Sequence, residues 1–321
     1  MVDRKTVVAT VVAVTASSLF GCALVGRAQA PQLVREAVSV LDGGFYATSD
    51  AWGAARQEAL ASPTRGVLSS AEVTSEISRL TQIAGGRHSK YLPTTSHGQD
   101  SDTDADMDVR VRVIGAVGVV SVPGVETSTA AQAMDFASRG AAEINHVTRE
   151  ASCGWVVDLR YNRGGNMYAM LGALSPLLPH GTLLSFEDRD GGRQAVRLNS
   201  GELTLDDEVV LVWSEESADS HFGARVAVLQ GQMTASAGEA VLLAFRTRTD
   251  TQTFGSSTAG LSSGNEEFLL SDGSSIILTT SVMVDVRGAI HGGVIDPDRE
   301  VSSAGNPLTS ALDWLDGSCD S

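Results

Sequence analysis

Ser236 opens the tetrapeptide Ser236-Ala237-Gly238-Glu239, shortly after the apolar run Val226-Ala227-Val228-Leu229 and directly before Ala240-Val241-Leu242-Leu243-Ala244-Phe245. The first run reads as a buried strand and the second as a helix, so the serine sits at a strand-to-helix turn. Two chemistries meet at such a position. Ser-x-x-Glu is a capping box, in which the hydroxyl accepts from the third helical N–H and Glu239 reaches back to the serine N–H. Losing such a cap costs about 0.5–2 kcal/mol. A helix N-terminus also presents unpaired N–H groups that can stabilise an oxyanion, which suits a serine nucleophile. Spacing alone leaves both open. A second turn, Asp158-Leu159-Arg160-Tyr161-Asn162-Arg163-Gly164-Gly165-Asn166, carries a strand into a glycine pair before a helix. Glycines there let a ligand approach exposed N–H groups closely, although a plain tight turn looks the same.

Composition narrows the chemistry. The chain has 321 residues, 42% of them hydrophobic and 19% charged, with 33 glycines, which suits a globular fold with many turns and excludes a coiled coil or a disordered chain. Its 23 basic and 39 acidic residues give a net charge of −16. No basic stripe exists to displace counterions from phosphates, which argues against nucleic acid as a partner. Cys22, Cys153 and Cys319 lack metal-ligand spacing, and the acidic stretch 94–108 lacks the spacing of a calcium loop, so neither a metal nor another cofactor is implied. Lysine occurs only at Lys5 and Lys90, leaving a lysine-dependent mechanism almost without candidates.

Residues 1–30 read as a signal peptide or membrane anchor. Arg4 and Lys5 precede the uncharged run from Thr6 to Leu19. Leu19-Phe20-Gly21-Cys22 resembles a lipobox that would lipidate Cys22; Ala28-Gln29-Ala30 is a rival cleavage site, and an uncleaved anchor is the third alternative. All three put the folded part outside the cytoplasm. There Cys153 and Cys319 either pair or remain two separate thiols.

Residues 31–93 carry helical periodicity in Leu33, Val34, Ala37, Val40 and Leu41 and again from Ser70 to Ile83; 94–108 reads as an exposed acidic loop; 109–316 forms the core. Strands are predicted at Val109–Val113, Val117–Val122, Gly154–Leu159, Glu208–Trp213 and Arg225–Leu229, and at Phe268–Leu270 and Ser274–Thr280 around a hairpin turn. Helices are predicted at Ala130–Val147, Met167–Leu178, Ala237–Phe245 and Asn306–Leu315. Strands alternating with helices define an α/β class.

Taken in order, these segments resemble the tail-specific (C-terminal-processing) and tricorn-core serine peptidase family. Asp158 to Gly165 is similar to its D-L-R-x-N-x-G-G strand end, and Thr234 to Glu239 to its T-A-S-A-x-E turn. Phe254 to Leu261, Asp272-Gly273-Ser274 and Gly293-Val294-Ile295-Asp296-Pro297-Asp298 follow in the family's order. The resemblance implies a ClpP/crotonase-like ββα core with a small N-terminal helical region. It implies hydrolysis of a peptide or protein substrate, with Ser236 as nucleophile and the N–H groups of Gly165 and Ala237 as the oxyanion hole.

Two departures point to one branch. Leu261 stands where the processing enzymes have their lysine, and too little chain separates Tyr91 from the first core strand for a PDZ domain. The other branch takes its base from a histidine motif upstream of the core, which Gly85-Gly86-Arg87-His88-Ser89 resembles. His88 is then the base, with a rate rising through a pKa near 6–7. Ser89 and Glu266 are the candidates for orienting it, since Ala289-Ile290-His291-Gly292 offers no carboxylate. The main rival is an inactive peptidase-fold binding protein of the cell envelope, and an acyl-CoA-type enzyme on the related core is a lesser one. The lipobox makes its own prediction: full-length protein should partition into detergent, and Cys22→Ala should abolish that. Unchanged partitioning of the variant would favour an uncleaved anchor.

Overall fold

The computed structural model describes residues 26–61, 69–94, 108–127, 129–214, 224–302, 304–317 and 319. Cys22, most of the leader and most of the acidic loop lie outside them. Three helices come first: α1 (Gly26–Leu41), α2 (Asp50–Ala61) and α3 (Ser70–Gly85). The helix α1 thus begins within the stretch read as leader. A complete capping box starts α3, with Ser69 Oγ accepting from Glu72 N–H and Glu72 Oε2 from Ser69 N–H. The α1 stripe of Leu33, Val34, Ala37 and Leu41 packs with Ile77 and Leu80 of α3. A 3₁₀ turn, Gly86–His88, then leads into strand β1 (Lys90–Leu92).

The core begins with β2 (Arg110–Ile114) and β3 (Val117–Ser121), then α4 (Ala130–Val147), β4 (Gly154–Asp158) and α5 (Met167–Ala173). Four strands follow: β5 (Gly181–Asp188), β6 (Arg193–Asn199), β7 (Glu202–Leu205) and β8 (Glu208–Val212). Next come β9 (Val226–Gln230), α6 (Ala237–Phe245), β10 (Thr251–Gly255), β11 (Ser263–Leu269), β12 (Ser275–Val284), β13 (Ile290–His291), β14 (Arg299–Glu300) and α7 (Pro307–Asp316).

Among the described residues these strands form two sheets. One has the order β14-β10-β9-β4-β3-β2, parallel except for β2. The other is antiparallel, in the order β1-β12-β5-β6-β7-β8, with β11 and β13 also on β12. Side-chain alternation divides the parallel strands between two cores. Val156, Ala227 and Leu229 face Ala311 and Leu315 of α7, whereas Trp155, Val157 and Val228 face α4, α5 and α6. Across those helices lie Leu184, Val196 and Leu203 of the antiparallel sheet. The N-terminal helices close a third cluster over Leu270, Ile276 and Leu278 of the β11–β12 hairpin.

Three readings need correction. The helix expected at Met167–Leu178 ends at Ala173, and a separate 3₁₀ turn containing Pro176 follows. The strands β5, β6 and β7 were not foreseen, because their faces are half-solvated and their apolar spacing is interrupted by a shift of register between Thr182 and Leu184. The β11–β12 hairpin is longer than expected on both arms. Between the two alternatives for the cysteines, the structure has the bond: Cys153 and Cys319 are joined, their Cα atoms 4.9 Å apart. This ties the chain just after α7 to the start of β4 across 166 residues of sequence. Cys153→Ala should therefore lower stability by roughly 2–4 kcal/mol, and reductant should lower the melting point of the wild type but not of the variant. Equal melting with and without reductant would contradict this.

Candidate active site

The turn into α6 is decided by its backbone. Ser236 has φ 53° and ψ −118°, in a region a serine occupies only under constraint. The capping box is half-made: Glu239 Oε2 accepts from Ser236 N–H at 2.9 Å, whereas the serine hydroxyl makes no cap hydrogen bond. The stability expected from a serine cap is therefore absent, and the half-buried hydroxyl is held out from the turn instead.

Glu239 supplies the constraint. It is fully buried and accepts four hydrogen bonds, one from the serine turn and three from the loop 258–261. Oε2 takes Ser236 N–H and Leu261 N–H, at 2.9 and 2.8 Å. Oε1 takes Thr258 Oγ1 at 2.5 Å and Gly260 N–H at 3.0 Å. Burial pushes its pKa above the ordinary carboxylate range, while the four donors pull the other way. The Thr258 hydroxyl also accepts from Ile295 N–H, which brings the last motif against the first.

Buried Asn162 fixes the glycine turn beside the serine. Its Nδ2 donates to Pro123 O, its Oδ1 accepts from Gly164 N–H, and its carbonyl accepts from Ala235 N–H. A Cβ on Gly164 would stand 2.9 Å from Ser236 Cβ, and one on Gly165 would stand 2.0 Å from Val125 O. Both have positive φ, 106° and 111°, so glycine is required twice over. Gly164 N–H is consumed by Asn162, whereas Gly165 is exposed and its N–H, like that of Ala237, meets no acceptor among the described residues.

His88 arrives from the junction of α3 and β1. Its Nδ1 lies 2.8 Å from Ser263 Oγ, and its carbonyl accepts from Asn265 Nδ2. Ser263 follows Leu261 by two residues, so the histidine and Ser236 are attached to the same loop: Leu261 N–H and Ser236 N–H share one oxygen of Glu239. Burial, and then the charge of Lys90, lower the His88 pKa to about 4. That is below the 6–7 expected for a histidine base, because the site is partly buried and brings it no carboxylate among the described residues.

The two residues expected to orient His88 do other work. Ser89 is buried and its hydroxyl faces Thr279, donating to Oγ1 and accepting from N–H, which pins the strand entering β1. Glu266 is exposed and accepts from Thr280 Oγ1. Ser263 was missed in the sequence because a serine 175 residues away carries no local signal of pairing with a histidine. Glu239 was noticed only as half of a capping box. Close to the last motif, His291 pairs with Asp285, Nε2 to Oδ2 at 3.2 Å.

The structure thus sets a half-buried serine on a strained strand-to-helix turn, puts the unpaired N–H groups of Gly165 and Ala237 at the two turns around it, and joins a partly buried histidine to the neighbouring loop through Ser263. Residues 116–301 match Peptidase family S41, and the chain belongs to that family, the tail-specific proteases. It is 28% identical over 284 residues to a nisin-resistance protein of Lactococcus lactis subsp. lactis, covering 88% of this chain and 86% of that protein. A lipoprotein of Streptococcus agalactiae shares the fold with a TM-score of 0.74 at 23% identity, over 90% of this chain and 96% of that one. The photosystem II D1 C-terminal processing protease shares it with a TM-score of 0.59 at 13% identity, over 89% and 97%.

The His88 shift has a definite sign. With a folded pKa of about 4 below the unfolded 6.5, the unfolded chain takes up the proton first as pH falls. The contribution is intact above about pH 6.5 and is lost as pH drops from there through about 4. Urea unfolding at pH 7 and pH 4 should thus differ by roughly 1–3 kcal/mol more in the wild type than in His88→Gln. An equal difference in both proteins would contradict the assignment.

Proposed function

We propose that this chain is an exported serine peptidase that hydrolyses peptide bonds through an acyl-enzyme on a ClpP/crotonase-like core. Ser236 Oγ attacks the scissile carbonyl carbon while His88 takes the hydroxyl proton. Collapse of the tetrahedral intermediate breaks the C–N bond, and His88 delivers the proton to the leaving amine. Water, deprotonated by the same imidazole, then releases the acyl group and restores Ser236. The Gly165 and Ala237 N–H groups receive the oxyanion. Ser263 acts as a positioning residue: with Nδ1–H donated to its hydroxyl, His88 keeps Nε2 unprotonated as the base.

The observation that carries this reading is the Ser236 backbone, held at positive φ by Glu239 with its hydroxyl left uncapped. Likeness to a nisin-resistance protein and to a lipoprotein supports residence at the cell envelope, reached through the N-terminal segment that includes Cys22. No described helix is long and apolar enough to cross a membrane. A second reading, a peptidase-fold binding protein without turnover, is favoured by one feature: no carboxylate among the described residues backs His88.

Labelling with a fluorophosphonate separates the two, since only an activated serine reacts. Ser236→Gly is the sharper variant. Glycine tolerates φ 53°, so relief of strain worth about 1–3 kcal/mol should offset the lost chain stiffness. The melting temperature should hold or rise while labelling and peptide hydrolysis vanish. Undiminished hydrolysis by Ser236→Gly would end the peptidase reading.

A further inference from the structure

A cavity of about 450 Å³ lies between the N-terminal helices and the core, with His88 and Ser263 in its wall. Tyr46, Ser49 and Gln82 line one side, and Gly260, Gly292 and Gly293 the other. Gly260 is buried, whereas Gly292 and Gly293 leave backbone exposed, as a groove for an extended peptide requires. Its charge is opposite to that of the molecule. The chain carries −16 overall, yet no carboxylate lines this cavity, and its one guanidinium belongs to Arg87.

Arg87 belongs to a group of arginines, with Arg35, Arg112, Arg149 and Arg163, whose guanidinium has no carboxylate partner among the described residues, and it is the one of them in this wall. Arg56, Arg79, Arg139, Arg160 and Arg193 each meet a carboxylate within 3 Å. The Arg87 guanidinium is exposed and makes no hydrogen bond or ion pair among the described residues, although acidic residues outnumber basic ones. It sits in the 3₁₀ turn beside His88, so its position relative to the base is set by a short stretch of fixed backbone. Two further features of the wall suit an anion with an apolar neighbour. Ser49 Oγ already accepts from Trp52 N–H, leaving its proton to donate. Tyr46 is half exposed and lies over Gly86, where a Cβ would stand 2.7 Å from its ring.

We propose that Arg87 is a specificity determinant that binds a carboxylate of the peptide held in this cavity, and so sets which bond reaches Ser236. The planar guanidinium offers two parallel N–H donors to the two oxygens of a carboxylate. In a strongly negative protein a local positive site is also what admits an anionic group. The carboxylate is either the α-carboxylate of the substrate's C-terminus or an Asp or Glu side chain. The proposal rests on the peptidase reading only for its link to cleavage; carboxylate binding itself does not need turnover.

The test uses the full chain carrying Ser236→Gly, with or without Arg87→Gln, and three fluorescein-labelled hexapeptides read by fluorescence polarisation. One has a free C-terminus and no acidic side chain, the second is its C-terminal amide, and the third is that amide with one internal Glu. The Arg87 protein should bind the free acid, the Glu amide or both at least about tenfold more tightly than the plain amide. Which of them gains identifies the source of the carboxylate. Arg87→Gln should bring all three to the level of the plain amide. Equal binding of the three by the Arg87 protein, no binding of any, or unchanged selectivity in Arg87→Gln would each overturn the proposal. Fluorophosphonate labelling of the Ser236 protein is scored separately. Selective binding without labelling would sink the peptidase reading and leave the carboxylate site standing.

Discussion

The carboxylate of Glu239 holds the site together. Buried carboxylates are expensive unless they are fully hydrogen-bonded, and this one collects its donors from the serine turn, from Thr258 and from the Gly260-Leu261 segment. Any slip of one segment would orphan a buried charge and several donors together. The strained conformation of Ser236 can persist because the surroundings over-determine it. The loop that carries Ser263, and through it His88, inherits its position from the same four bonds.

His88, the proposed base, comes from a different part of the molecule than Ser236, so in that reading the N-terminal helices are positioning elements as well as a cover. Several contacts hold them to the core. β1 pairs with β12, Ser89 is fastened to Thr279, and Arg189 at the turn after β5 donates to the carbonyls of Asp42 and Gly44. The price of a hydroxyl in place of a carboxylate behind His88 is electrostatic. In the proposed reaction an imidazolium would meet no counter-charge among the described residues, and burial keeps the ring neutral down to about pH 4.

What was legible in the sequence was local. The helices read from Ser70 and from Ala130 begin where expected, and the apolar runs of β3, β4 and β9 announced buried strands. The Ser236 turn was legible as a place but not as a role, because cap and nucleophile share a spacing and only the backbone angle distinguishes them. The half-solvated strands β5 to β7 were hidden by their mixed polarity. Ser263 and the Cys153–Cys319 bond were hidden by distance along the chain, which no periodicity reports. Ser89 and Glu266 were attractive because they neighbour the right motifs in sequence, yet adjacent residues in a strand face opposite ways.

The disulfide divides the molecule in a way that neither sheet does. Between Cys153 and Cys319 the backbone is a closed ring that contains Ser236, Glu239, both glycines of the turn and Ser263, while His88 is brought in from outside it. A single backbone cut within that ring opens a loop but releases no fragment. A cut between Leu92 and β2 would instead leave His88 on a separate piece, retained by non-covalent contacts alone. Cleavage on the two sides of Cys153 would therefore have unequal consequences: within the ring both pieces stay covalently joined through the disulfide, whereas a cut before it parts His88 from Ser263 and Ser236.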